Sequence, residues 1–235
     1  MKLSVVIPCY NERDTLERVV AAVRSAPVSS VEIIIVDDAS TDGTAELLRD
    51  KLSGIVERII YHETNQGKGA ALRSGFRVAT GDIVIIQDAD LEYDPRDYAR
   101  LIEPIMSRSA DVVFGSRLTA MSADGVVFSW HVVGNKLLTS LSNALTKLSL
   151  TDMETGYKAF RRDVIQSIEI EEDGFGVEPE ITAKLAKRGV AIREVEISYD
   201  RRSYSEGKKV RWRDGIWAVY AILKYNLWWD GGKRT

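Results

Sequence analysis

The sequence has little of several features that mark whole classes of protein. It contains a single cysteine, Cys9, in 235 residues, so an internal disulfide framework is excluded, and this fits a reducing compartment. It contains no run of about 18 uncharged apolar residues, the length that a membrane-spanning helix needs. The first apolar run, at 3–8, is too short for the core of a signal peptide, so we expect a cytoplasmic protein.

An excess of charge of one sign is also missing. The chain has 32 lysines and arginines against 35 aspartates and glutamates, a formal net charge of −3, so its overall charge indicates no nucleic acid partner. Hydrophobic residues make up 45% and charged residues 29%, which is typical of a soluble globular protein and excludes a disordered chain. No low-complexity linker divides the chain. We therefore predict one domain at 1–212 and a C-terminal amphipathic aromatic helix and tail at 213–235.

Short runs rich in valine and isoleucine alternate with longer amphipathic segments. The runs lie at 3–8, 32–37, 56–62, 82–87 and 111–115. They lack the period-two alternation of a half-exposed sheet, so they predict strands covered on both faces. Helical patterns lie between and after them, at 41–52, 68–79, 95–107, 126–150, 180–188 and 214–229, and a capping-box pattern at 14–17 precedes a first helix. A further strand is predicted at 190–199. This alternation predicts an α/β fold, with a mostly parallel central sheet and helices on both faces.

Polar residues follow three of the predicted strands, at 9–12, 37–43 and 88–92. Ligands of α/β proteins bind at the carboxyl ends of the strands, so we expect these segments to form one site. Asp88 and Asp90 are two carboxylates that can bind one hard cation, Mg²⁺ or Mn²⁺, on a substrate phosphate, and Glu92 can add a ligand. Aspartates in this position are also common as turn and cap residues, so the pattern alone leaves both interpretations open.

Asp37 and the segment at 65–69 are further candidates for binding a ligand. Asp37 can accept a hydrogen bond from a base or a ribose, and it can also cap the helix that follows. The glycine-rich segment at 65–69 (NQGKG) lacks the Walker spacing. A tight turn before a helix is therefore favoured over a phosphate loop.

Four motifs now carry a family resemblance: 5–12 (VVIPCYNE), 36–44 (VDDASTDGT), 65–69 (NQGKG) and 88–90 (DAD). In this order and spacing they resemble the signature of family 2 glycosyltransferases with the GT-A fold. Within that family the sequence is similar to the dolichyl- and polyprenyl-phosphate mannosyl and glucosyl synthases, from residue 3 to about 214. The resemblance implies a metal-dependent, inverting transfer of mannose or glucose from a GDP- or UDP-sugar to a polyprenyl phosphate.

The resemblance also implies roles for residues on the donor side. The expected nucleotide-binding residues are Pro8, Tyr10, Glu12, Asp37, Lys68, Asp88, Arg202 and Lys208. The expected ligands of Mg²⁺ or Mn²⁺ are Asp88, Asp90 and Glu92, although a glutamine commonly stands at the last position in the mannosyl synthases.

On the acceptor side, the resemblance implies that Arg117, His131 and Asn135 bind the lipid phosphate. The family often has arginine and serine where this chain has His131 and Asn135. The segments at 152–160 and 178–181 are similar to family segments near the reacting sugar. The expected catalytic residues are Asp90, Arg117 and Glu178, and Glu180 lies in the same motif. An acceptor phosphate is already anionic near neutral pH and needs no strong base, so pairing of Glu178 with a lysine or arginine is the alternative to a general base.

The end of the chain is basic and then aromatic. Residues 201–213 contain six basic side chains and one acidic one. We expect Arg202, Lys208 and Lys209 to close over the nucleotide, the alternative being a solvated charged run. Four of the five tryptophans follow residue 200. We predict packing in the core or in a homodimer for Trp217, and contact with the cytoplasmic face of a membrane for Trp228 and Trp229.

Three other functions are alternatives to this one. A sugar-1-phosphate nucleotidylyltransferase would need a glycine-rich loop after the first strand, and 8–12 is not one. A non-catalytic module that binds nucleotide sugars or lipids would not need both Asp88 and Asp90. A glycosyltransferase with a soluble acceptor remains open, since many relatives carry transmembrane anchors that this sequence lacks.

Overall fold

The computed structural model describes residues 1–117, 130–200 and 212–230, without the side chains at 130, 131 and 212–214. Arg202, Lys208 and Lys209 lie outside the described residues. In the described residues, seven strands form one sheet in the order β3-β2-β1-β4-β6-β5-β7. They are β1 (Leu3–Cys9), β2 (Val31–Asp37), β3 (Arg58–Tyr61), β4 (Ile83–Ile86), β5 (Val112–Ser116), β6 (Lys158–Arg161) and β7 (Ile192–Glu196). Every pairing is parallel except those of β6, which is antiparallel to β4 and β5.

Eight α-helices lie in the described part of the chain. They are α1 (Leu16–Arg24), α2 (Thr44–Leu47), α3 (Lys68–Val78), α4 (Tyr98–Met106), α5 (Trp130–Thr146), α6 (Arg162–Gln166), α7 (Val177–Lys187) and α8 (Trp212–Leu223). Two π-helical segments, Leu48–Leu52 and Lys224–Trp228, extend α2 and α8, and a 3₁₀ turn, Pro95–Asp97, precedes α4.

The sheet is covered on both faces, which confirms the predicted fold class. Val5 and Ile7 of β1 belong to a buried cluster with residues of α1 and α4. Val6, between them, belongs to a second cluster with residues of α3, α6 and α7. Successive side chains of a strand point to opposite faces, so an uninterrupted apolar strand is what such a doubly covered sheet requires.

Three details differ from the prediction. Helix α6 was not predicted, because it has only five residues. Strand β6 was not predicted, because it has only four residues and begins with a lysine, Lys158. The capping box at 14–17 does not form. Thr15, rather than Asp14, precedes α1, and it makes no side-chain capping bond. Its hydroxyl lies 2.8 Å from Glu12 Oε2 and 2.9 Å from the carbonyl oxygen of Ala89.

The C-terminal aromatic residues divide between packed and exposed positions. Trp217 is 57% exposed, so the prediction that it packs in the core is wrong, while a homodimer contact stays a prediction. Trp228 is 69% exposed. The ring of Trp229 packs on the side chains of Lys184 and Lys187, with their nitrogens 5.0 and 5.8 Å from its centroid. Within the described ranges, no helix has the length and apolar character needed to cross a membrane.

Candidate active site

The three predicted polar segments lie along one edge of the sheet. β1 pairs in parallel with both β2 and β4, so the residues that follow these strands are neighbours. The backbone N–H of Asn11 donates to Ser40 Oγ at 2.9 Å, and that of Thr41 donates to Asn11 Oδ1 at 2.7 Å. Asn11 and Ala39 adopt left-handed backbone conformations, with φ of 52° and 60°, which are uncommon outside glycine. The crossed hydrogen bonds hold the first two segments together.

Glu12 connects the first segment to its neighbours. Its backbone N–H donates to Thr44 Oγ1 at 3.1 Å, and its carboxylate meets the same Thr15 hydroxyl that reaches Ala89. The same stretch of chain contains Pro8, which pairs with Val36 of β2. It also contains Tyr10, which is exposed. The predicted nucleotide-binding residues 8, 10 and 12 are therefore brought to the segment that contains Asp88 and Asp90.

Asp37 ends β2 as a buried carboxylate. Its Oδ1 has no hydrogen-bond partner among the residues that the structure describes. Burial raises its pKa, and the negative charges of Asp38 and Asp42 act in the same direction, while hydrogen bonds from Ser40 oppose them. An acceptor atom of this kind suits a hydroxyl or N–H donor of a ligand. This agrees with the expected contact to a nucleoside.

Asp38, next along the chain, has a structural role that the sequence analysis missed. Its carboxylate accepts the backbone N–H groups of Gln66, at 3.0 Å, and Gly67, at 2.6 Å, and lies 2.6 Å from His62 Nδ1. His62 Nε2 in turn lies 2.9 Å from Ser74 Oγ of α3. Asp38 therefore holds the loop at 62–67 against the end of β2.

The glycines of that loop allow close packing rather than phosphate binding. Gly67 has φ of 104°, and a Cβ there would lie 2.5 Å from the carbonyl oxygen of Asp173. A Cβ on Gly69 would lie 2.1 Å from the carbonyl oxygen of Glu172. Both glycines are thus needed where the chain turns into α3 and touches the segment before α7. This supports the tight-turn interpretation of 65–69.

Lys68 begins α3 and joins two of the predicted site residues. Its Nζ lies 2.9 Å from Asp88 Oδ1 and 3.1 Å from Glu178 Oε1. Burial by itself would lower the pKa of Lys68, but the carboxylates of Asp88 and Glu178 outweigh it and hold this pKa well above its ordinary value. Glu178 is therefore paired with a lysine, the alternative left open above. Its other oxygen, Oε2, is buried with no partner in the described ranges.

Asp88 and Asp90 fit a divalent cation by their chemistry. They lie at the carboxyl end of β4, and Asp90 Oδ1 accepts the N–H of Glu92 at 3.2 Å. No group of three or more histidine, cysteine or acidic side chains placed to hold a metal occurs in the described residues. Mg²⁺ and Mn²⁺ need no such group, because one or two carboxylates, water and substrate phosphates satisfy Mg²⁺ in many proteins. Glu92 Oε2 accepts the hydroxyl of Tyr199 at 2.6 Å, and its role as a ligand stays a prediction.

Arg117 and Asn135, from the predicted acceptor group, meet on one carboxylate. Arg117 Nε and Nη2 lie 2.6 and 2.7 Å from the two oxygens of Asp152, and Asn135 Nδ2 donates to Asp152 Oδ1 at 2.8 Å. Burial raises the pKa of Asp152, but the charge and hydrogen bonds of Arg117 outweigh it and lower this pKa. His131 lies one turn before Asn135 on α5, and its side chain is outside the described residues.

The segment at 152–158 contributes residues that the sequence analysis did not assign individually. The backbone N–H of Gly156 donates to the Tyr93 hydroxyl at 2.8 Å, and the ring of Tyr93 stacks on Tyr157 with 4.5 Å between centroids. Lys158 Nζ is buried and donates to the carbonyl oxygens of Met153 and Thr155. The signal in the sequence was the density of polar residues in a stretch that precedes a strand.

Glu180, the second acid of its motif, has a structural role. It is fully buried, lies 2.6 Å from Lys184 Nζ, and accepts the N–H groups of Glu171 and Glu172 at 2.7 and 2.8 Å. These bonds occupy both of its oxygens. The structure therefore gives Glu180 the task of fixing the segment before α7.

A comparison with protein families shows which family this chain belongs to. The family described as Glycosyl transferase family 2 matches residues 4–169. The chain belongs to this family. The matched region of this family 2 glycosyltransferase includes the donor-side motifs at 5–12, 36–44, 65–69 and 88–90, and Arg117. Glu178 and the aromatic C-terminal helix lie beyond it.

Curated relatives extend the similarity over most of the chain. It is 31% identical over 219 residues to an undecaprenyl-phosphate mannosyltransferase of Micrococcus luteus, covering 88% of this chain and 87% of that one. It is 32% identical over 215 residues to a dolichol-phosphate mannosyltransferase of Pyrococcus furiosus, covering 88% of this chain and 59% of that one. The family 2 glycosyltransferase described here thus spans most of the first relative and about three fifths of the second.

A solved structure shows the same fold. Glucosyl-3-phosphoglycerate synthase of Mycobacterium tuberculosis, in complex with Mn²⁺, UDP and glucosyl-3-phosphoglycerate, superposes with a TM-score of 0.72. The superposition covers 96% of this chain and 80% of that one, at 21% sequence identity. The resemblance to GT-A glycosyltransferases inferred from the motifs is therefore confirmed at the level of the fold.

Proposed function

We propose that this family 2 glycosyltransferase transfers a hexose, mannose or glucose, from a GDP- or UDP-sugar to a polyprenyl phosphate, with inversion at the anomeric carbon. One observation carries the proposal: the segment at 152–156 contacts both the proposed acceptor-binding residue and a proposed donor-binding residue. Asp152 binds Arg117, and Gly156 lies directly against Asp88. A donor diphosphate at Asp88 and an acceptor phosphate at Arg117 would therefore be neighbours. The names of the two curated mannosyltransferases support the same acceptor class.

On the donor side, each residue has a task that its contacts support. Asp37 would offer the nucleoside its Oδ1, the oxygen that has no partner in the described part of the chain. Asp88 and Asp90 would hold Mg²⁺ or Mn²⁺, and Lys68 orients Asp88. When bound, the ion supplies positive charge to the departing nucleoside diphosphate. Arg202 and Lys208 would add positive charge over the nucleotide.

On the acceptor side, Arg117 is the positive group. Asp152 binds its Nε and Nη2, which fixes the plane of the guanidinium. Nη1 donates to the Tyr93 hydroxyl at 3.3 Å, and its second N–H would meet the phosphate. Asn135 holds the same carboxylate from α5, and His131 would lie beside it. The phosphate attacks the anomeric carbon as an anion, so no side chain has to remove a proton.

Association with the cytoplasmic face of a membrane is part of the proposal. Ile216, Trp217 and Tyr220 of α8 are exposed, as are Leu227 and Trp228 in the π-helical segment that follows. An exposed face of aromatic and aliphatic side chains suits the interfacial region of a bilayer. Such a position would bring the site to its lipid acceptor.

The test is formation of a glycolipid. The protein is incubated with GDP-mannose, UDP-glucose and related donors, Mg²⁺ or Mn²⁺, and polyprenyl phosphate, and the lipid product is identified by mass spectrometry. We expect Asp90→Asn to lower turnover by about 100-fold or more, because an interaction that stabilises transition-state charge is lost. Chelation of the metal should do the same.

The control for this variant is Asp50→Asn, an exposed aspartate in the π-helical segment after α2. Its turnover should equal that of the unaltered protein. Full turnover of Asp90→Asn, or turnover that is insensitive to chelation, would overturn the assignment of Asp90.

A soluble acceptor is the second candidate. The structure from Mycobacterium tuberculosis holds a glucosylated phosphoglycerate, which shows that this fold can serve a small phosphorylated acceptor. Including 3-phosphoglycerate in the same incubation separates the two functions. A soluble glycoside formed without glycolipid would favour the second.

A further inference from the structure

Two acidic side chains, Glu154 and Glu178, lie between the donor and acceptor groups of the candidate site. Glu178 is 5% exposed and binds Lys68, which also binds Asp88. Glu154 follows Asp152, the partner of Arg117, by two residues and precedes Gly156 by two. The proposed function needs the transferred sugar at this place, because its anomeric carbon is bonded to the diphosphate and is the atom that the acceptor phosphate attacks.

Each of these side chains has one oxygen that receives no hydrogen bond from the described residues. Glu154 Oε1 and Glu178 Oε2 are buried, and neither has a partner in the part of the chain that the structure describes. Buried polar atoms are normally satisfied, and leaving a carboxyl oxygen without a donor is unfavourable. The two side chains are close enough for the charge of Glu178 to act on Glu154, so we infer that a ligand supplies the donors for both oxygens.

The charges around Glu154 support a role in binding hydroxyl groups. Burial raises the pKa of Glu154 to about 8, and the nearby carboxylate of Glu178 acts in the same direction, against the positive charge of Lys158. A carboxyl group that keeps its proton at neutral pH can donate one hydrogen bond and accept others, and an ionised one can only accept. A sugar hydroxyl does both, so a pair of this kind matches it.

Two other roles are less well supported by the contacts. A phosphate acceptor needs no general base. A metal site is not indicated either, because positive groups already face both carboxyl groups: Lys158 and Arg117 act on Glu154, and Lys68 Nζ lies 3.1 Å from Glu178. Hydroxyl groups of the sugar are the remaining donors at this position.

We propose that Glu154 and Glu178 bind hydroxyl groups of the transferred sugar and so determine which nucleotide sugar the protein accepts. This inference rests on the proposed function for the position of the sugar. It adds a role in donor specificity for two residues. Glu178 is among the site residues predicted from the sequence, and Glu154 is not.

The experiment compares donors that differ by one hydroxyl group. Isothermal titration with Mn²⁺ present measures binding of UDP, GDP, the preferred nucleotide hexose, and the 2-, 3-, 4- and 6-deoxy analogues of that hexose. The proteins are the unaltered chain, Glu154→Gln, Glu178→Gln, and Glu103→Gln as a control on the exposed surface of α4.

We expect removal of at least one hydroxyl to weaken donor binding to the unaltered protein about tenfold or more, as for hydrogen bonds to charged groups. In Glu154→Gln or Glu178→Gln that difference should fall to about threefold or less, because the partner of the hydroxyl is altered. Binding of the nucleoside diphosphate alone should change by less than about twofold in Glu154→Gln, since this side chain would meet only the sugar. Glu103→Gln should match the unaltered protein throughout.

Two results would overturn the inference: unchanged discrimination between hexose and deoxyhexose in both variants, or equal weakening of nucleoside diphosphate and nucleotide sugar in Glu154→Gln. Circular dichroism confirms that each variant is folded. The titration needs no lipid, so the inference and the proposed acceptor can fail separately. Loss of discrimination in Glu154→Gln would support the inference about the sugar site. If the unaltered protein formed no glycolipid in the same study, only the proposed acceptor would be contradicted.

Discussion

At the scale of single residues, Gly156 is where the two halves of the candidate site touch. A Cβ at this position would lie 2.3 Å from Asp88 Oδ2 and 3.1 Å from the ring of Tyr93. The absence of a side chain therefore lets the carboxylate of Asp88 sit against the segment that also positions Arg117 through Asp152. A methyl group at Gly156 would displace Asp88 Oδ2, which is at the end of a flexible side chain. The backbone fold can therefore be kept, but the carboxylate of Asp88 would have to move.

We predict that Gly156→Ala lowers kcat/KM by about tenfold or more, since a displacement of about 1 Å at a reacting group can have an effect of this size. The melting temperature should change by only a few degrees, because the adjustment needed is a movement at the end of one side chain, that of Asp88. Kinetic assays and thermal melts measure the two effects. Gly54→Ala is the matched control, since a Cβ there meets no described atom within 4 Å. A fully active Gly156→Ala would show that the position of Asp88 is unimportant.

At the scale of elements, Glu32 ties three parts of the sheet together. This buried residue of β2 accepts hydrogen bonds from the hydroxyl of Ser4 on β1, from the backbone and hydroxyl of Thr80 before β4, and from Lys2. Burial alone would raise its pKa, but these hydrogen bonds outweigh burial and lower the pKa from 4.5 to about 2. The three strands that carry the donor site are thus joined at the end opposite to it.

We predict that Glu32→Gln loses about 3 kcal/mol of unfolding free energy at neutral pH, the value that follows from the pKa difference between the folded and unfolded states. Because the folded pKa is the lower one, the carboxylate stabilises the protein fully above pH 4.5, and this contribution is lost as the pH falls towards 2. Urea unfolding across this range, with Glu103→Gln as control, measures it. A difference between the variant and the unaltered protein that stays constant down to pH 2 would contradict the assignment.

At the scale of the whole molecule, the C-terminal helix is anchored on one side and exposed on the other. Lys224 Nζ and the Tyr225 hydroxyl lie 2.9 and 2.8 Å from Glu172 Oε1. The carbonyl oxygen of Glu172 faces Gly69, next to Lys68. The anchored face of the helix is therefore connected to the start of α3. The exposed face carries the apolar side chains that would meet a membrane.

We predict that the double variant Ile216→Ser/Trp217→Ser binds anionic lipid vesicles about tenfold more weakly or worse, because it removes apolar area that the bilayer would bury. Turnover of a short-chain, water-soluble polyprenyl phosphate should be unchanged. Vesicle co-sedimentation measures binding, and Met106→Ser, at an equally exposed position on α4, is the control. Unchanged vesicle binding, accompanied by loss of a dimer in sedimentation velocity, would support the homodimer interpretation instead.

The alternation of strands and helices, and the loops after β1, β2 and β4, could be predicted because they depend on neighbours in the chain. Apolar runs and capping residues act over a few positions, so the sequence by itself determined the parallel sheet and placed Asp37, Asp88 and Asp90 at one edge. The division at residue 212 and the roles of the site residues stay predictions.

Only the tertiary structure decided which side chains meet. Arg117 and Asp152 are 35 positions apart, and the antiparallel strand β6 enters between β4 and β5. Trp217 could be assigned to a core from its apolar character, yet it is exposed. Pairings of this kind depend on how whole elements pack, and periodicity along the chain carries no information about partners far away in sequence.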